Sequence, residues 1–116
     1  MKRLLSVLLL MILVAIPLRA EKYALLVGIN DYPDEISSLK YCVADVEAFR
    51  QALVNVAGFK EDKIFLMIDG MTDRMEPTHI NVIARLGILS RQIKADDTFV
   101  FYFSGHGIVN NGSSYL

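Results

Sequence analysis

Three short apolar runs alternate with two amphipathic stretches along this chain, and their order predicts the fold. The first run, Tyr23-Ala24-Leu25-Leu26-Val27-Gly28-Ile29, is unbroken and ends in turn chemistry at Asn30-Asp31-Tyr32-Pro33-Asp34. It predicts a buried strand entering a long loop. Cys42, Val46, Phe49, Leu53 and Val56 then recur at intervals of three and four, with Glu47, Arg50, Gln51 and Asn55 on the opposite side. That period predicts a helix, with Gly58 as its stop. Ile64-Phe65-Leu66-Met67-Ile68 predicts a second buried strand, turned by Asp69-Gly70. Thr78 is placed to cap a second helix, with Pro77 just outside it, and Ile80, Ile83, Ala84, Gly87 and Ile93 form its expected packed face. Lys94-Ala95-Asp96-Asp97 turns the chain into a third strand, Thr98 to Phe103.

Strand, helix, strand, helix, strand is the order of an α/β fold: a parallel sheet with flanking helices and crossovers of one hand. Each helix then begins near the carboxyl ends of the strands, the edge at which open α/β sheets bind ligands. The third strand stops there, at Ser104-Gly105-His106-Gly107. Its aromatic and β-branched run reads as buried on both faces. His106, held between two glycines, is a candidate general base, because an imidazole ordinarily titrates near neutrality. Cys42 and Asp45, three residues apart, share one face of the first turn of the first helix and reach the same edge. Beyond His106, Asn110-Asn111-Gly112-Ser113 reads as a loop and Tyr115-Leu116 as the start of a further strand.

Composition changes this picture at one end. Hydrophobic residues make up 53% of the 116-residue chain, and part of that excess is the run from Leu4 to Leu18. Preceded by Lys2-Arg3 and followed by Arg19-Ala20, it fits an amino-terminal signal peptide over residues 1–20. At about 15 residues it is short of the roughly 20 that a stable membrane span needs. The expected product is therefore exported to the periplasm or the extracellular space, with residues 21–116 as its folded part; the alternative reading of the run is an uncleaved membrane anchor. Removing Lys2, Arg3 and Arg19 leaves that part more acidic than the whole chain, whose net charge is −1. No basic stripe interleaved with aromatics is present, so nucleic acid is not an expected partner. One cysteine, Cys42, excludes an internal disulfide, and His79 and His106 have no metal-ligand spacing, so no metal site is expected.

Four segments, in this order, resemble the caspase and metacaspase superfamily of cysteine peptidases, on its bacterial metacaspase-like side. They are Lys22 to Tyr32; Leu39-Lys40-Tyr41-Cys42-Val43-Ala44-Asp45; Asp97-Thr98 leading into Phe101 to Gly107; and Asn111-Gly112 before Tyr115-Leu116. The resemblance covers residues 22–116 and implies a caspase-like three-layer α/β/α domain, here its amino-terminal part, truncated after the third strand. It implies a cysteine-type endopeptidase acting on polypeptide substrates. His106 would be the catalytic histidine, and Gly107 would offer its N–H to the oxyanion of the tetrahedral intermediate. Cys42, Asp45 and Ser104 would line a substrate-binding pocket for a basic side chain, with cleavage after arginine or lysine.

The departures are equally specific. The family nucleophile lies in a segment like Asp-x-Cys-x-Ser-Gly after a fourth strand, and no such segment occurs here. The remaining carboxyl-terminal part of the peptidase domain is therefore an expected partner, and the 116 residues alone are expected to be inactive. Tyr41 stands where the family commonly has glycine, and Ala44 where it has asparagine. Calcium-binding acids of some metacaspases fall beyond Leu116, so no cofactor is expected of these residues, and calcium is left to the complete protein. Three roles stay open for Cys42: pocket lining, plain core packing, or nucleophile, since a thiol at a helix amino terminus beside a histidine is chemically suited to attack. A non-catalytic interaction protein of the same fold and an inactive truncated fragment are the alternatives to an enzyme.

Overall fold

The computed structural model describes residues 19–32 and 37–115, together with Arg3. The apolar run assigned to a signal peptide lies outside the described residues. Among those described, no helix is long and apolar enough to cross a membrane.

Strands β1 (Lys22–Gly28), β2 (Ile64–Ile68) and β3 (Thr98–Ser104) form one parallel sheet in the order β2-β1-β3. Helix α1 (Cys42–Asn55) connects β1 to β2, and helix α2 (His79–Gln92) connects β2 to β3. The first connection steps to one side of β1 and the second steps back across it. With crossovers of one hand, that reversal places the helices on opposite faces. The packing agrees. Ala24, Leu26, Ile64 and Ile68 meet Val46 and Leu53 of α1, whereas Leu25, Val27 and Met67 meet Leu89 of α2. Alternate residues of each strand serve alternate faces, as the pleat requires. Leu25, Leu26 and Val27, fully buried in the central strand, belong to both layers of core.

Two expectations of packing are revised. Helix α2 is turned relative to its expected face: Val82, Leu86 and Leu89, with Ile93 just past its end, pack on the sheet, while Ile80 is 77% exposed and Ile83 56%. Both stripes have helical spacing. The observed one sets leucines against the sheet where the other has Ala84 and Gly87, so it buries more apolar surface. In α1, Val56 lies beyond the last turn and is 87% exposed. Its helix ends at Asn55, and Gly58 takes the left-handed conformation just after it (φ +74°). Thr78 caps α2 as expected, its hydroxyl accepting the Asn81 N–H at 3.3 Å.

Strand β3 is not buried on both faces. It lies at an edge of the described sheet, and Phe99 and Phe101 are 38% and 41% exposed. After it the chain forms a hairpin instead of a loop: β4 (Ile108–Asn110) pairs antiparallel with β5 (Ser113–Tyr115). Asn111 and Gly112 make the two-residue turn with φ of +49° and +79°. That is a type I′ turn, the geometry that Asn-Gly favours between strands.

The start of the sheet is held by Asp97. Its carboxylate accepts the Lys94 N–H and the Glu21 N–H, both at 2.8 Å, and Thr98 donates to the Glu21 carbonyl at 2.9 Å. The two amide donors, Lys94 first, hold the Asp97 carboxyl below the usual aspartate range. A depressed folded pKa contributes stability that is complete above the unfolded value and lost as pH falls through the folded one. Asp97→Asn is therefore expected to unfold at lower urea than the parent at pH 6, with the gap closing from about pH 4 downward. A gap independent of pH would assign the loss to geometry and not to charge.

Candidate active site

The carboxyl edge of the sheet carries the site, and three tethers across the chain shape it. Asp69, just past β2, accepts the Asn30 N–H at 2.6 Å and the Asp31 N–H at 3.3 Å. Asn30, just past β1, accepts the Leu39 N–H on its carbonyl at 2.7 Å and the Val43 N–H on its Oδ1 at 3.3 Å. Val43 is the second residue of α1, and Tyr41, preceding that helix, provides no side-chain cap. From the start of the loop that leads into α1, the Asn30 side-chain oxygen thus does what a capping side chain does locally, satisfying an amide left orphaned at the helix start. The third tether is Tyr32, whose hydroxyl accepts the His106 N–H at 2.6 Å.

His106 follows β3 on the Ser104-Gly105 turn and is half-buried. Its Nε2 lies 2.6 Å from the Ser37 carbonyl oxygen. A carbonyl only accepts, so Nε2 carries the hydrogen, and in the neutral ring Nδ1 is then the bare acceptor. The Tyr32 ring meets the imidazole edge-on, with centroids 4.7 Å apart and planes at 69°. Gly105 leaves room for this: a β-carbon there would collide with the Tyr32 hydroxyl and the Phe103 ring. Burial raises the Tyr32 pKa above the ordinary phenol value, the His106 N–H opposes that rise, and the nearby Cys42 and Asp69 charges add to it.

The other expected site residues reach the same edge. Ser104 ends β3 opposite Gly28 in register, and its carbonyl accepts the Ile29 N–H at 3.0 Å. Cys42, half-buried, is the first residue of α1, close enough to Tyr32 to oppose its ionisation. Asp45 is exposed in the first turn of that helix. Gly107 is exposed immediately after His106. Two hollows flank Tyr32. One, about 430 Å³, is an apolar groove between α2 and β3 lined by Val27, Ile29, Leu86, Phe101 and Phe103. The other, about 420 Å³, has Asp31, Asp69 and Glu76 on its walls. Among the described residues, no group of three or more His, Cys, Asp or Glu side chains is placed to hold a metal ion.

Asn30, Tyr32, Ser37 and Asp69 are the site residues that sequence reasoning passed over. Asn30 to Asp34 and Asp69-Gly70 were legible only as turns, and Ser37 acts through its backbone carbonyl, to which no side-chain pattern points.

A three-layer α/β/α sandwich with a histidine and a helix amino terminus at its carboxyl edge defines the class of this domain. The chain belongs to the metacaspase peptidase C14 domain family, whose model matches residues 22–114. It is 38% identical over 86 residues to metacaspase-8 of Arabidopsis thaliana, covering 74% of this chain and 22% of that protein. It is 36% identical over 88 residues to metacaspase-1 of Yarrowia lipolytica, covering 75% of this chain and 19% of that protein. To metacaspase III c of Phaeodactylum tricornutum it is 37% identical over 84 residues, 72% of this chain and 25% of that protein. The chain spans about a fifth to a quarter of the curated relatives it matches.

Proposed function

We propose that this chain supplies the histidine-bearing part of a caspase-like cysteine endopeptidase. The observation that carries the reading is the His106 ring, with Nε2–H held on the Ser37 carbonyl at the carboxyl edge of a metacaspase-family sheet. Nδ1 is then the nitrogen that takes the proton from a cysteine thiol as sulfur attacks the peptide carbonyl carbon. The oxygen of the tetrahedral intermediate draws on the Gly107 N–H, since the His106 N–H is already given to Tyr32. Collapse of the intermediate breaks the C–N bond, and the imidazolium returns its proton to the leaving amine. Water, deprotonated by the same imidazole, then releases the acyl group from sulfur.

The nucleophile of this scheme is a cysteine outside these residues, with Cys42 lining the pocket beside Asp45 and Ser104. Four carboxylates gather at this edge: Asp45 is exposed on α1, and Asp31, Asp69 and Glu76 line the hollow beside Tyr32. Such a surface attracts a guanidinium or ammonium group and repels a carboxylate. The complete enzyme is therefore expected to cut after arginine or lysine. Peptide-library profiling of the parent and of Asp45→Ala tests this. The variant should lose roughly tenfold or more in preference for basic over neutral side chains, the scale of one charge-assisted contact. Cleavage after aspartate, or unchanged selectivity in Asp45→Ala, would reject the pocket.

A further inference from the structure

Tyr32 stands 74 residues from His106 in the chain and touches it twice. Its hydroxyl accepts the backbone N–H, and its ring meets the imidazole in a T-shaped contact, with planes at 69°. These contacts constrain different freedoms. The hydrogen bond fixes the backbone where the chain leaves β3, and thus the origin of the side chain. The ring contact limits rotation of the imidazole about its own bonds. With both in place, Nε2–H reaches the Ser37 carbonyl, a hydrogen bond from a different loop. Tyr32 is itself held firmly: its ring borders the apolar groove with Ile29 and Phe103, and Asp69 ties down the amides of the two residues before it. The Gly105 backbone leaves the space that the hydroxyl occupies.

We propose that Tyr32 is a positioning residue for His106, fixing the backbone and ring plane that keep Nε2–H on the Ser37 carbonyl and leave Nδ1 for proton transfer. The catalytic part of this proposal rests on His106 being the proton-transfer residue; the positioning part does not. A phenylalanine at this position keeps the ring and removes only the acceptor. The His106 N–H then has no hydroxyl to bond to, and the imidazole is freer to exchange between its tautomers.

The test is nitrogen-15 NMR on the full chain labelled at histidine, with the backbone amide followed by hydrogen exchange. In the parent, the His106 amide should be protected, and the two ring nitrogens should report the Nε2–H tautomer once the ring is neutral. In Tyr32→Phe, that amide should exchange about tenfold or more faster, the loss of one hydrogen bond, and the ring nitrogen shifts should move toward each other. Unchanged exchange and unchanged ring shifts in Tyr32→Phe would overturn the proposal. So would a parent amide that exchanges at the unfolded rate, a measurement that requires no variant to fold. In the complete peptidase, Tyr32→Phe should lower kcat by roughly tenfold with KM little changed. If the NMR changes appear but His106→Ala remains active, the positioning stands and the proposed function falls.

Discussion

Replacing His106 by alanine is expected to lower kcat/KM of the complete peptidase by about 10³-fold or more, with little effect on folding. The magnitude follows from the role. A positioned general base contributes on the order of 10² to 10⁴ to a proton-transfer step, and residues that act as a unit lose most of their joint effect when one is removed. The chain's other histidine, His79, is the first residue of α2 and lines the groove that Tyr32 borders, with no hydrogen bond to the Ser37 carbonyl that orients His106. Stability should change by less than about 1 kcal/mol, because His106 lies past the end of β3, outside both core clusters. Ser37→Ala provides the contrast. Ser37 contributes its carbonyl, which alanine retains, so activity should stay within about twofold of the parent. Peptidase assays on the two variants decide it. An active His106→Ala enzyme would remove the histidine from the mechanism, and an inactive, well-folded Ser37→Ala enzyme would show that the hydroxyl and not the carbonyl is used.

Strand β1 was legible because burial on two faces leaves an unbroken apolar run; β2 and β3, at the edges of the described sheet, carry a similar run, and the turns that end these runs are punctuated by Asn, Asp, Gly and Pro. Helix α1 was legible through Val46, Phe49 and Leu53. Helix α2 was legible as a helix but not in phase, since Ile80 and Ile83 offered a second stripe and only the sheet selects between them. The exposed phenylalanines of β3 could not be anticipated, because an apolar run does not say which neighbours cover it. Asn111-Gly112 is a known hairpin turn pair, and the three-residue strands on either side of it are too short to show an alternating pattern. At the site, the Gly-His-Gly turn and the first turn of α1 stood out by residue type and order. Asn30, Tyr32 and Asp69 did not, for a physical reason. They work by accepting backbone amides up to 74 residues away, and such contacts leave no period in the sequence.

Gly28→Ala is expected to destabilise the fold by about 1–3 kcal/mol, the range for forcing a methyl into a packed core. Gly28 ends the central strand, paired with Ile68 on one side and Ser104 on the other. A β-carbon there would lie 2.8 Å from Cγ2 of Val46 and 3.0 Å from the Cys42 carbonyl oxygen. Neither neighbour yields easily. Val46 is fully buried, and a β-branched side chain in a helix has one strongly preferred rotamer. The Cys42 carbonyl belongs to the first turn of α1. The helix start would therefore lift from the strand ends, straining the Asn30–Val43 hydrogen bond and carrying Cys42 and Asp45 with it. Urea unfolding of Gly28→Ala, Val46→Ala and the double variant measures the clash. The double variant should be less destabilised than the sum of the singles by at least about 0.5 kcal/mol, because removing Cγ2 makes room for the new methyl. Additive losses would mean that the α1 backbone, and not Val46, sets how closely the helix can sit on β1, and an unchanged Gly28→Ala midpoint would reject the steric account.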